Sequence, residues 1–442
     1  MLGWRILKDG EYRVDIPNIS KDEEELIIAT EQRYREFART DIIKNKEESE
    51  KIIAQILERT AREVGVYIDI DQQDYLSRIA AMHIYGFAFI EPLMQDQEIE
   101  EISIIGPRKS AYVYIRKKGW KRVNAYFEDE NAIADMINRM ARNIGRHITM
   151  QNPRLDAMLP DGSRLHGSLP PISCGEMTIR KFRDRPYSPR ELISNETINA
   201  DALAILSVLM QGDNSIIIAG NTASGKTTTL NALFSFVPAD ERIVITEETP
   251  EINIPHAQQL RLIANREMGI TLKDLVYDSL RMRPDRMIIG EVRNKEEVEA
   301  LFDVLMAGQA RGSYATFHAR STDEAIARLR SFGISNMDMQ SIDCIIVQRR
   351  MTVYDAGKRK NKEIRRVIEI AELGGEKPTM IYKNDAIGES KLIEKAAESF
   401  GLDNAEMKEE IAKRKKIISR ARIDYLESYH EIQKTLYGIE GW

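Results

Sequence analysis

Cysteine is almost absent from this 442-residue chain, where Cys174 and Cys344 stand alone. Two isolated thiols supply neither a disulfide framework nor a structural zinc site. Both are expected as small buried residues in a reducing compartment. Long apolar runs are also missing. Runs such as Ile216-Ile217-Ile218-Ala219 reach only a few residues, so no segment is expected to span a bilayer. The opening stretch MLGWRILKDGEYRVD meets charge too early for a secretory signal, so the expected location is the cytoplasm. Excess positive charge is lacking too, with 64 Lys+Arg against 70 Asp+Glu and a net charge of −6. That balance argues against a protein devoted to coating duplex nucleic acid. A hydrophobic content of 43% excludes global disorder, and the length suits two or three domains.

What is present changes character along the chain. Residues 20–64 carry helical spacing behind a capping box, in which Ser20 and Glu23 each reach the other's backbone amide. A helical arm is therefore expected over 1–71. Residues 72–187 read as a smaller mixed α+β domain, with helices near 72–86 and 129–145 and short alternating strands among Pro and Gly turns. The run RDRPYSP at 183–189 has the composition of a hinge, and its two prolines forbid a continuous helix. Over 188–370 short apolar strands, at 215–219, 242–246, 287–290 and 313–317, alternate with helices. That pattern predicts a parallel sheet covered on both faces. A helical extension follows over 371–442, ending in one long striped helix near 404–437.

The sharpest signal is Gly220-Asn221-Thr222-Ala223-Ser224-Gly225-Lys226-Thr227, a complete GxxxxGK[ST] phosphate loop. Its four specified positions occur by chance in such a chain only about 1–2% of the time at average residue usage. The loop follows a predicted strand and opens a predicted helix, as phosphate binding requires. The glycines let backbone amides turn inward, and the helix end adds its positive dipole. Lys226 supplies charge for the outer phosphates, the Thr227 hydroxyl suits Mg²⁺, and Thr228 continues the loop into the helix.

Two acidic groups follow at predicted strand ends. Arg283-Pro284-Asp285-Arg286 leads through an apolar strand to Glu291, suited to polarising water or holding Mg²⁺. This carboxylate is expected beside the loop if the two strands are neighbours. The alternative for Glu291 is an ordinary ion pair with Arg293. Thr246-Glu247-Glu248-Thr249-Pro250-Glu251 reads as a second metal- or water-positioning element, or else as a solvated turn. His318, just after a strand, is a candidate sensor of the outermost phosphate or a structural histidine.

Taken together these blocks resemble the secretion and type IV filament ATPase superfamily: type II and type IV secretion, pilus and archaellum motors. The resemblance covers roughly 85–350. It rests on the order of four motifs: the phosphate loop, the acidic box at 246–251, the Walker B block at 283–291 and a histidine box, Gly308-Gln309-Ala310 through Thr316-Phe317-His318-Ala319. Thr227-Thr228-Thr229-Leu230-Asn231-Ala232-Leu233 and Ile254-Pro255-His256 are most similar to its archaeal branch. Asn221 and Ala223 stand where that family often has glycine, and Glu248 where it usually has Asp.

The resemblance implies a RecA-like P-loop domain behind a smaller N-terminal domain, a ring of six subunits, ATP and Mg²⁺ as cofactors, and an integral-membrane platform protein as partner. It implies catalytic roles for Glu291, Glu247, Glu248 and His318, with Thr227 and Glu291 serving the metal. It also assigns Arg164 and Arg180, in Leu159-Pro160-Asp161-Gly162-Ser163-Arg164 and Thr178-Ile179-Arg180-Lys181-Phe182, as phosphate contacts. Arg281 and Arg283 either approach a neighbour's nucleotide or brace their own site. The expected function is hydrolysis-driven domain motion that powers filament assembly or secretion. The alternative is a nucleic-acid-translocating RecA-like motor, although no nucleic-acid partner is expected. The basic runs at 358–366 and 413–416 are either solvated faces, as most such runs are, or contacts for acidic lipid headgroups or for a partner that seeks basic residues.

Overall fold

The computed structural model describes residues 4–6, 10–14, 19–40, 46–84, 86–116, 118–182, 185–265, 268–357, 359–375 and 377–439. The chain divides into two compact units, Met1–Arg183 and Asp184–Trp442. The division falls at the start of the stretch read as a hinge, whose Arg183 and Asp184 lie outside the described residues.

In the first unit, eight strands form one sheet in the order Trp4–Ile6, Glu11–Val14, Gly119–Val123, Tyr112–Ile115, Ile99–Ile104, Glu176–Arg180, Arg164–Ser168 and Arg154–Met158. Alternate residues of these strands, such as Ile102, Ile104, Val113, Leu165 and Ile179, share one buried core with Ile133 and Ile137 of helix Glu130–Ala141. The N-terminal arm is not wholly helical: Glu11–Val14 pairs in parallel with Gly119–Val123. Behind it Lys21–Thr40 and Lys46–Val64 are separate helices, and the capping box at Ser20 and Glu23 forms as read. With Ile70–Ile84 they bury Leu26, Ile27, Ile53, Leu57 and Leu76 in a core of their own. The expected boundary at 71/72 falls inside that last helix.

The second unit is built on a nine-stranded sheet. Its order is Gln259–Ile263, Ile243–Glu247, Arg286–Val292, Gly312–Phe317, Ile216–Gly220, Cys344–Asp355, Lys360–Glu372, Thr379–Lys383 and Ala386–Ile387. The first six run parallel and the rest antiparallel. Ile216 and Ile218 enter one core while Ile217 and Ala219 enter another, which is why the strand reads as a continuous apolar run. The expected boundary at 370/371 falls within Lys360–Glu372, because the sheet continues past it.

The single terminal helix is two, Asn404–Arg420 and Tyr425–Tyr437. Asp424 caps the second with its carboxylate on the amides of Leu426 and Glu427. Ile418 and Ile432 lie in the same core as the parallel sheet, so these helices are part of the unit, not an extension of it. The basic run 413–416 faces its own chain in part. Arg414 is buried and donates to Ser207 O, and Lys415 pairs with Asp201 at 2.8 Å. Cys344 is buried as expected, but Cys174 is exposed.

Candidate nucleotide-binding site

The phosphate loop joins strand Ile216–Gly220 to helix Lys226–Leu233. Gly225, at φ +96°, and Ala223, at φ +58°, both occupy left-handed backbone. A Cβ at Gly220 would lie 2.2 Å from Gln348 O and 2.5 Å from Ser224 Oγ, so only glycine fits there. Asn221 is tied to the neighbouring strand. Its Nδ2 donates to Arg350 O at 3.0 Å, and its Oδ1 accepts from Arg350 N at 2.9 Å. The Ser224 hydroxyl is buried without a hydrogen-bond partner, Thr222 is exposed, and Thr228 is half-buried. Thr229, one residue further, donates to Gln348 at 2.7 Å.

The condition set for Glu291 is not met, because the loop strand and Arg286–Val292 are not neighbours. Gly312–Phe317 lies between them, which separates the two by about 10 Å at ordinary strand spacing. Side chains close the gap. Lys226 Nζ lies 3.8 Å from Glu291 Oε1, and His318 Nε2, at the end of the intervening strand, lies 2.7 Å from the same oxygen. The other oxygen accepts from Arg293, so the ion-pair reading of Glu291 also holds. Burial works to raise the Glu291 pKa, yet hydrogen bonds from His318 and Arg293 and the charges of Arg293 and Lys226 outweigh it. They hold the carboxyl at about 2. Arg293 also donates to Glu248 at 2.9 Å and so joins the two acidic groups.

Glu247 differs from its neighbours. It is buried, and its Oε1 accepts the amides of Glu251 and Ile252 at 2.7 and 2.8 Å, which fixes the turn after the strand. Burial pushes its pKa up to about 7, against the pull of those amides and of Arg261. The turn delivers Glu251 to the loop, where Thr227 Oγ1 donates to Glu251 Oε2 at 3.1 Å. Sequence reasoning did not single out Glu251, Arg293 or Gln348. Glu251 was visible as the third acid of the box. Arg293 is legible in sequence only as an ion-pair partner of Glu291, and Gln348 lies on a strand that periodicity does not reveal.

A pocket of about 30 Å³, open to solvent, is lined by Thr227, Glu247, Glu251, Glu291, Arg293 and their neighbours. That is room for about one water-sized ligand. Glu247 Oε2, which lacks a hydrogen-bond partner, belongs to a residue lining it. Among the described residues no three His, Cys, Asp or Glu side chains group to hold a metal by themselves.

The predicted arginines lie on other elements of the two units. Arg281 and Arg283 are exposed and precede Arg286–Val292, at the end opposite Glu291, so they do not brace their own site. Arg164 and Arg180 face each other across paired strands of the first unit. Arg164 makes a two-pronged bond to Asp156 at 2.8 and 2.9 Å, and Arg180 is exposed. Arg286, which the sequence reading passed over, is fully buried and bonded to Glu241 and Tyr314.

A parallel sheet carrying a phosphate loop, with one strand between it and a carboxylate that the loop lysine reaches, defines a RecA-like P-loop protein. Residues 85–428 match the family described as type II/IV secretion system protein, and the chain belongs to that family. The match reaches beyond the expected 350 to include most of the C-terminal helices.

An uncharacterized protein of Methanocaldococcus jannaschii is 35% identical over 320 residues, 70% of this chain and 56% of that protein. A putative conjugal transfer protein of Mycobacterium tuberculosis (strain CDC 1551 / Oshkosh) is 30% identical over 58% of this chain and 75% of its own. The type IV secretion system protein VirB11 of Bartonella henselae is 27% identical over 54% of this chain and 78% of its own. The expected superfamily is thereby borne out. The chain spans about half the length of the first relative and 33% of a second from the same archaeon. Among the described residues no helix is long and apolar enough to cross a membrane.

Proposed function

We propose that this chain is a Mg²⁺-dependent ATP hydrolase. Working as a ring of six, it would drive assembly of a pilus-like filament, or secretion, through an integral-membrane platform. The observation that carries the reading is the convergence of Lys226 and His318 on one oxygen of Glu291 beside a complete phosphate loop. Backbone amides of the loop would hold phosphate oxygens, and Lys226 would divide its charge between phosphate and Glu291. Glu291, ionised at any ordinary pH, would accept the proton of an attacking water. His318 would orient that carboxylate, and Arg293 would link it to Glu248. Magnesium would be held by Thr227, with Glu251 and Glu291 beyond it through water, and would neutralise phosphate charge. The single-water cavity and the scarcity of converging acids fit a cation bound largely by phosphate and water. Arg281 and Arg283, remote from their own carboxylate, suit the site of an adjacent subunit.

Phosphate release measures the reading. Lys226→Ala removes charge-assisted hydrogen bonds worth about 1.5–3 kcal/mol each and is expected to weaken ATP binding roughly tenfold or more. Glu291→Gln is expected to slow turnover about 10²–10⁴-fold while ATP still binds. Unchanged phosphate release in both variants overturns the assignment. Strong stimulation by single-stranded DNA that fades as salt rises would transfer it to a nucleic-acid motor.

A further inference from the structure

Of the two basic runs in the sequence, 413–416 is turned in part to its own chain; in 358–366, Arg365 and Arg366 meet acids of their own chain while Arg359 and Lys362 are exposed. The second lies on a hairpin, Cys344–Asp355 with Lys360–Glu372, whose inner part belongs to the sheet. Residues 344–348 pair with Ile216–Gly220, and 369–372 with Thr379–Lys383. Between 349 and 366, the described residues of the two strands pair only with each other. Because Cys344–Asp355 runs parallel to Ile216–Gly220, this ribbon leaves the sheet past Gly220, at the edge where the phosphate loop begins. Seven residues of strand carry it about 20 Å.

Residues 349–366 hold eight Lys and Arg against two acids, leaving six net positive charges on a chain of net charge −6. Near the root three of the charges are answered: Arg350 and Arg365 meet Glu363, and Arg366 meets Glu196 and Asp385. The outer end is different. Arg359 and Lys362 are exposed, beside Tyr354 at 62% and Val353 at 46% exposure. Lys362 stands directly across from Val353.

Lysine alone keeps an unpaired sheet edge from sticking to others, but an exposed valine and tyrosine work against that purpose. Cations around an aromatic and an aliphatic tip match an anionic lipid surface. Headgroups answer the charge, and the tyrosine ring sits at the headgroup level. A nucleic-acid backbone would answer the charge and leave Val353 unmatched.

We propose that the outer ribbon, through Val353, Tyr354, Arg359 and Lys362, is a contact arm for an anionic phospholipid surface. The two hydrogen bonds between Asn221 and Arg350 join the root of the arm to the second residue of the phosphate loop. Force on the arm therefore bears directly on that loop.

The test is co-sedimentation of the full chain with vesicles of equal parts phosphatidylglycerol and phosphatidylcholine, and with phosphatidylcholine alone, across salt. Binding is expected to the anionic vesicles only and to weaken as salt rises. Arg359→Glu with Lys362→Glu is expected to reduce it by about tenfold or more. Val353→Ser with Tyr354→Ser is expected to reduce it while leaving the salt dependence in place. All four side chains are exposed, and unchanged circular dichroism confirms that each variant folds. Equal binding to both kinds of vesicle, undiminished binding by either variant, or tighter binding to DNA than to anionic vesicles at equal salt would overturn the proposal.

Discussion

Glu247→Gln converts the odd titration of one buried carboxyl into a measurable stability. In the folded chain the carboxyl is nearly free of solvent contact and titrates near 7 instead of its ordinary 4.5. The folded state thus holds a proton that the unfolded state has already lost between those two values. The contribution of this group to wild-type stability must fall as pH rises through that window, by about 3 kcal/mol in all, and stay level above it. Glutamine keeps the oxygen that accepts the amides of Glu251 and Ile252 and never takes a charge. The variant should match the wild type within roughly 1 kcal/mol at pH 5 and exceed it by about 3 kcal/mol at pH 8. Urea unfolding across pH reads this difference directly. A variant equally shifted at both ends, or less stable than wild type at pH 8, would mean that the carboxyl is ionised throughout. The account of its burial would then be wrong.

Other substitutions probe separate parts of the second unit. Gln433 accepts from Ala239 N and donates to the carbonyls of Ser235 and Val237, so Gln433→Ala strands buried groups worth about 1–3 kcal/mol each. A urea-measured loss under about 1 kcal/mol would contradict this. Gly220→Ala forces a Cβ against Gln348 O and should abolish binding of a fluorescent nucleotide; retained affinity would show that the loop has room to spare. Arg286→Met leaves Glu241 with Arg311 and should cost about 3–5 kcal/mol in thermal unfolding. Exposed Arg281→Met should stay within about 0.5 kcal/mol, so equal effects would refute the ranking.

The parts of this fold legible in sequence are those set by local pattern. The phosphate loop, the apolar strands feeding two cores and the acids at their ends could all be placed from neighbouring residues alone. The strand Gln259–Ile263 was missed because it lies at a sheet edge and alternates polar with apolar, unlike its buried neighbours. The hairpin from Cys344 was missed because its apolar start, Cys-Ile-Ile-Val, continues into Gln-Arg-Arg with no change in backbone. The break before Tyr425 carries neither proline nor glycine, so one apolar stripe ran on through two helices. Contacts such as Thr227 with Glu251, or Asn221 with Arg350, join residues 24 and 129 positions apart. No local signal could reveal them.

The bonds that Gln433, Tyr425 and Tyr437 make to the phosphate-loop helix and the turn after it also set a timetable for synthesis. They span 194 to 201 residues of sequence. At about 5–20 residues per second, a ribosome needs roughly 10–40 seconds to deliver the second partner after the first. Through that interval the carbonyls of Asn231, Ser235 and Phe236 wait without these donors. The nucleotide pocket therefore gains its rear wall late, and a nascent chain paused before residue 425 presents that wall to chaperones and proteases.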